Sequence, residues 1–99
     1  MASSNEYRDF ILEQLNSFQF ITCRAMMGEF LLYCNGILFG GIYDDRVLVK
    51  ITENNRGYRL KEEIPYKGAK PMFLVDCVDN PGLFKKIVLD TCAALSEKK

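Results

Sequence analysis

The chain has 99 residues, 48% of them hydrophobic and 12% aromatic, which points to one folded domain spanning 1–99 rather than a disordered segment. Thirteen basic residues balance thirteen acidic ones, against the basic excess of a dedicated nucleic-acid binder. There is no histidine, so catalytic triads and other imidazole chemistry are excluded.

The opening "MASSNEYRDF" carries neither a basic leader nor an apolar one, and no apolar run approaches the roughly 20 residues that span a bilayer. A cytoplasmic location is therefore expected, with Cys23, Cys34, Cys77 and Cys92 as reduced thiols. In chain order, Ser3 and Glu6 have capping-box spacing. Tyr7, Phe10, Ile11, Leu15 and Phe18 then recur at helical steps. This predicts a helix over 4–17 that leaves at Asn16-Ser17.

Between Ile21 and Ile51 the apolar period becomes two, with turn signals at Gly28-Glu29, Asn35-Gly36 and Asp44-Asp45. A four-stranded antiparallel meander follows. Two-residue loops pair Leu31 with Met26, Leu38 with Tyr33 and Val47 with Ile42. One face then collects Met26, Leu31, Tyr33, Leu38, Gly40, Ile42, Val47, Val49 and Ile51, and is expected beneath the helices. The other collects Met27, Phe30, Leu32, Ile37, Phe39, Gly41, Tyr43, Leu48 and Lys50, too apolar for bare solvent.

The polar "TENNRGYRLKEE" reads as a short helix or ordered loop with Thr52 at its cap. After a turn at residues 67–70, a further strand runs from Met72 to Val75, and Pro71 marks it as an edge or as having no need of that N–H. A closing helix starts at Asn80 and Pro81 and buries Leu83, Phe84, Ile87, Val88, Thr91 and Leu95, with a lysine-rich end. The fold class is α+β: an N-terminal helix, an antiparallel meander, a middle helix or loop, a further strand and a C-terminal helix, the helices packed on one sheet face.

The chemistry-bearing motifs read mostly as structure. Adjacent carboxylates on a strand point to opposite faces, so Asp44-Asp45 is a turn rather than a metal site. Gly40-Gly41 has strand on both sides and no helix N-terminus for a phosphate. Gly40 is expected to make room for a crossing helix, and Gly41 for a partner. The assumed first hairpin sets Cys23 opposite Cys34, a thiol pair or simply small core residues. Arg56, Arg59 and Lys61 are offset by Glu53, Glu62 and Glu63, as on a solvated face. No catalytic, metal-binding or cofactor-binding residue is expected.

The string "RAMMGEFLLYCNGILFGGIYDDRVLVK", followed by "EIPYKGAKPMFLVDCVDN", resembles the N-terminal domain family of the bacterial competence regulator TfoX, or Sxy. Arg24, Met26 and Gly28 match its Arg-x-Met-x-Gly opening, and Tyr33 and Gly36 its Tyr-x-x-Gly hairpin. Asp44, Asp45 and Lys50 match the turn and strand that follow. Pro65, Tyr66, Gly68, Ala69, Lys70 and Met72 match a stretch typical of short, stand-alone members. The chain departs in lacking a Trp in the last helix and in having Glu29 where a glycine is common.

The resemblance implies an α+β domain associated with control of DNA-uptake genes and without catalytic activity. The expectation is a non-enzymatic cytoplasmic regulatory and protein-interaction module. A homodimer is the simplest cover for the second apolar face. The candidate interaction surface is Arg24, Phe39, Tyr43, Lys50, Tyr66 and Lys70. The alternatives are direct DNA binding through Arg46, Lys50, Arg56, Arg59 and Lys61, or a small-ligand pocket near Arg24, Tyr66 and Lys70.

Overall fold

The computed structural model describes residues 4–15, 18, 20–26, 28–76 and 79–97. Helix α1 (Asn5–Gln14) is capped by Ser4, whose hydroxyl accepts from the Tyr7 N–H at 3.1 Å, and Glu6 in the first turn suits the helix dipole. The cap is thus Ser4, not Ser3, which lies outside the described residues. The helix closes on Leu15, and the expected exit at Asn16-Ser17 also lies outside them.

Six strands follow: β1 (Ile21–Met26), β2 (Glu29–Cys34), β3 (Ile37–Tyr43), β4 (Arg46–Val49), β5 (Lys61–Glu63) and β6 (Met72–Val75). They form one antiparallel sheet in the order β1-β2-β3-β4-β6-β5, and α2 (Pro81–Glu97) closes the chain. The α+β architecture is the expected one. Two details of the edge differ. β6 lies inside the sheet, paired on both sides, with Pro71 just before it where no ladder N–H is required. The edge is β5, a strand the polar composition of its segment concealed.

Asn35 and Gly36 have φ of 51° and 82°, Asp44 and Asp45 of 54° and 56°. Both pairs have the positive φ of tight hairpin turns. Asp45 Oδ1 also accepts from the Ser4 N–H at 2.9 Å, which fastens the start of α1 to the β3–β4 turn.

The register corrects two expectations. In the first hairpin Met26 pairs with Glu29 rather than Leu31, so Cys23 faces Leu32 and Cys34 faces Ile21. Glu29 is already strand, and the slip of two residues leaves the faces unchanged. In the second hairpin Tyr33 pairs with Leu38 but Leu32 pairs with Gly40, which makes Phe39 an extra, bulged residue. One extra residue reverses the alternation. Phe30 and Leu32, expected away from the helices, therefore lie under them together with Cys34, and Leu31, Tyr33 and Leu38 face the other way.

The core fills the space between this helix face and the two helices. Ile11 and Leu15 of α1 and Phe84, Ile87, Val88 and Cys92 of α2 join Phe30, Leu32, Phe39, Ile42, Val47, Val49, Phe73 and Val75. Each large side chain buried this fully contributes about 1.5–3 kcal/mol. Leu83, expected in the α2 stripe, is exposed. Lys98 and Lys99 lie outside the described residues.

A 3₁₀ helix, Glu53–Tyr58, occupies the polar middle segment and is tied down from within. The Asn55 side chain is wholly buried. It accepts from the Thr52 N–H at 2.9 Å and donates to the Lys50 carbonyl at 2.8 Å and to Thr91 Oγ1 at 2.9 Å. Thr91 in turn donates to the Ile87 carbonyl. Tyr58 adds a second tie by donating to the Asp90 carboxylate of α2.

Gly40 does not make room for a helix, as its place in the sequence had suggested. A Cβ there would sit 2.2 Å from the Leu48 carbonyl oxygen and 2.9 Å from the Val49 Cα, so the space is needed by the backbone of β4. Gly40→Ala is expected to cost about 3 kcal/mol and to lower the melting midpoint by roughly 10 °C or more. Calorimetry checks this; an unchanged midpoint would contradict the close approach.

Burial, the hydrogen bond to Asp90 and the Asp90 charge together push the Tyr58 phenol up to about 12. An unfolded tyrosine ionises near 10, so the tie is fully present below that pH and is lost as pH rises through 12. Tyr58→Phe should therefore be destabilised relative to wild type at pH 8, the gap shrinking between pH 10 and 12. Urea midpoints across that range test it; a gap independent of pH would count against the bond.

Candidate functional site

The sheet face turned away from the helices carries the site. Backbone register places Thr22, Arg24 and Met26 of β1 there, with Leu31 and Tyr33 of β2 and Leu38, Gly41 and Tyr43 of β3. Leu48 of β4 and Leu74 and Met72 of β6 continue it. This is an apolar surface, and no helix covers it among the described residues.

Half of it is roofed by the β5–β6 connection. Pro65 is buried, the Ala69 N–H donates to the Tyr66 carbonyl at 3.0 Å, and Gly68 takes φ of 88°, so residues 64–71 form a compact turn. The Tyr66 and Tyr43 rings meet with centroids 6.1 Å apart. Tyr43 also fills the space beside Gly41, where a Cβ would stand 2.7 Å from the ring. The slot at Gly41, expected for a partner, is thus taken by an internal aromatic ring.

Two adjoining clefts open on either side of the Tyr43–Tyr66 pair. One of about 420 Å³ lies between sheet and loop, with Leu38, Lys50, Ile51, Ala69, Lys70, Pro71 and Met72 in its walls. The other, about 490 Å³, runs toward β1 over Met26, Leu31 and Leu38, with Glu29 at its side. Together they make an apolar trough with two ammonium groups at one end and a carboxylate at the other. Among the described residues neither Lys50 nor Lys70 has an ion-pair partner. Burial, with Tyr66, Glu29 and Tyr33 close by, raises the Tyr43 phenol above its ordinary value.

Of the six residues the sequence singled out, the fold brings Tyr43, Lys50, Tyr66 and Lys70 to one cleft. Arg24 shares their face but lies exposed on β1, outside both clefts. Phe39 does not belong to the surface: the bulge turns it into the core, where it is fully buried. Sequence reasoning missed Leu31 and Leu38, assigned to the helix side by unbroken alternation. It also missed the roof formed by residues 64–71, for which the available signal was the closely spaced Pro65, Gly68 and Pro71.

The polar motifs are accounted for by structure. Arg46 bonds Glu63 at 2.8 Å and the Tyr43 carbonyl at 3.2 Å, and so anchors β4 across the sheet to β5. Among the described residues no group of three or more Cys, Asp or Glu could hold a metal ion. No helix among them is long and apolar enough to cross a membrane.

The TfoX N-terminal domain model matches residues 13–81, more than two-thirds of the chain. The chain belongs to the TfoX N-terminal domain family. This is a regulatory, non-enzymatic family linked to competence regulation. The chain is also similar to an uncharacterised 12.7 kDa protein from the trpE 5′ region of Spirochaeta aurantia, with 31% identity over 102 aligned positions. That alignment covers all of this chain and 89% of the relative. In this TfoX-type domain the Pro-Tyr-Lys-Gly-Ala-Lys stretch builds the roof of the trough, and Tyr33-Cys34-Asn35-Gly36 leads into the second hairpin turn.

The thiols are paired otherwise than the sequence suggested. Cys34 lies against Cys92 of α2, and burial together with their mutual hydrogen bond drives the Cys92 thiol far above its usual range. Cys23 is half-buried and also raised, by burial, with Arg8 opposing the shift. Cys77 lies outside the described residues. In a Cys77→Ser protein, a maleimide at neutral pH is expected to modify one site, Cys23, and to reach Cys34 and Cys92 only on unfolding. Mass spectrometry of native and urea-treated protein decides this.

Proposed function

We propose that this TfoX-type domain is a non-enzymatic cytoplasmic regulatory module that works by holding a protein segment in the trough on its open sheet face. The observation that carries the reading is the trough itself. Leu31, Leu38, Met26, Tyr43 and Tyr66 supply apolar contact, and Lys50 and Lys70 stand at one end without ion-pair partners among the described residues. A clustered apolar surface of this kind is costly to leave wet, and aromatic anchors beside cations are typical of protein recognition. The complementary partner is a segment with large apolar side chains followed by an acidic group that reaches the lysines.

Direct DNA binding has less support. Arg46 is occupied by Glu63, Arg56 stands 3.9 Å from Glu53, and the formal net charge is zero. Two of the five cations in the candidate basic stripe are thus engaged by carboxylates, which weakens it as a surface for neutralising successive phosphates.

The test is affinity capture from native cells at low and moderate salt, scored for protein and nucleic acid together. Wild type is compared with Tyr66→Ala, Leu38→Glu and the double variant Lys50→Glu/Lys70→Glu. A stoichiometric protein partner, lost by at least tenfold in all three variants while their melting midpoints stay near wild type, is expected. Nucleic acid captured at low salt and released at moderate salt, with no stoichiometric protein, would overturn the reading.

A further inference from the structure

The two edges of the sheet are built differently. β5 has three residues, Lys61, Glu62 and Glu63, all charged, and Glu63 holds Arg46. Short length and charge are how proteins guard an edge against strand addition. β1 has six residues with one charge, Arg24, and no Lys or Pro; its residues from Arg24 to Met26 are exposed. Among the described residues nothing guards this edge.

The hydrogen-bond phase shows what β1 offers. The Asn35 N–H donates to the Phe20 carbonyl at 2.9 Å, so Phe20, Thr22, Arg24 and Met26 turn their peptide groups inward to β2. Ile21, Cys23 and Ala25 turn theirs outward. The Ile21 N–H is already used, donating to the Phe18 carbonyl at 3.2 Å. Among the described residues, the Cys23 and Ala25 N–H groups and the carbonyls of Ile21, Cys23 and Ala25 have no ladder partner.

We infer that β1 pairs antiparallel with β1 of a second copy, joining two sheets into one about a two-fold axis at Cys23. An axis perpendicular to the sheet keeps each face continuous, which requires paired residues of the same parity. Two registers centre on this strand. One sets Arg24 against its own copy, opposing two guanidinium groups and costing stability. The other sets Cys23 against its own copy, Ile21 against Ala25 and Arg24 against the uncharged Thr22, with about four ladder hydrogen bonds. Charge selects the second. The zero formal net charge also leaves no overall repulsion between copies. Pairing β1 with β5 instead would give a three-residue contact that propagates without closing.

The dimer and the trough partner are separable, because Tyr66, Leu38, Lys50 and Lys70 lie off β1 and Met26, the trough residue that β1 does supply, lies beyond the residues 21–25 that the ladder joins. The experiment is size-exclusion chromatography with light scattering on the full chain, at protein concentrations on the order of 100 µM, since a strand-only interface is small. Wild type is expected at twice the monomer mass. Ala25→Pro removes an outward N–H that the β1–β2 ladder does not use, so it should be monomeric, with a melting midpoint equal to that of wild type at protein concentrations low enough to dissociate the dimer. In a Cys77→Ser background a short bis-maleimide should link two copies through Cys23, at least tenfold less in Ala25→Pro or Ala25→Lys. A monomeric wild type, a dimer indifferent to both Ala25 variants, or a monomer that instead binds extended peptides along β1 would overturn the inference. None of those results would touch the trough.

Discussion

The extra residue in β3 is the constraint on which the rest of this domain depends. Between Leu38, which faces Tyr33, and Gly40, which faces Leu32, Phe39 has no partner in β2 and turns into the core. At the two glycines that follow, a side chain would collide with the neighbouring groups. At Gly40 the β4 backbone leaves no room for a Cβ, and at Gly41 the Phe30 carbonyl and the Tyr43 ring leave none. The bulge therefore sets which side chains of the first hairpin meet the helices and which line the trough.

Given that geometry, the two sheet faces take different roles. The helix face is closed by α1 and α2 and carries most of the stabilising burial. The polar middle segment is locked to it through Asn55, a buried amide that satisfies the Thr52 N–H, the Lys50 carbonyl and Thr91 Oγ1 at once. Losing such a group strands several buried partners, which costs far more than a surface hydrogen bond. The open face is only half closed, by a short loop with Tyr66 on top. Apolar surface is left where packing is left incomplete.

Charge in this molecule mostly organises structure. Asp45 fastens the start of α1 to a hairpin turn, Arg46 crosses from β4 to Glu63 of β5, and the Arg8 guanidinium lies 5.0 Å over the Phe30 ring. Lys50 and Lys70 differ in sitting at the mouth of an apolar cleft without an acidic partner among the described residues. That contrast is why the trough, rather than a basic stripe, carries the functional reading.

Local chemistry settled the two long helices and the turns at Asn35-Gly36 and Asp44-Asp45, while the family was legible as a resemblance in the order of the motifs. Ser, Asn and Pro at helix starts, the left-handed preference of Asn-Gly and Asp-Asp, and period-two apolar runs all act over a few residues and are legible one segment at a time. The absence of histidine and the balance of charges likewise belong to the chain as written. What only the tertiary structure decided was parity and adjacency: the bulge at Phe39, the insertion of β6 between β4 and β5, and the contact of Cys34 with Cys92 instead of Cys23. The physical reason is common to all three. A side chain's face depends on register summed over every residue before it, and strand order on contacts between distant segments, so one unpaired residue redirects whole strands with no local signal.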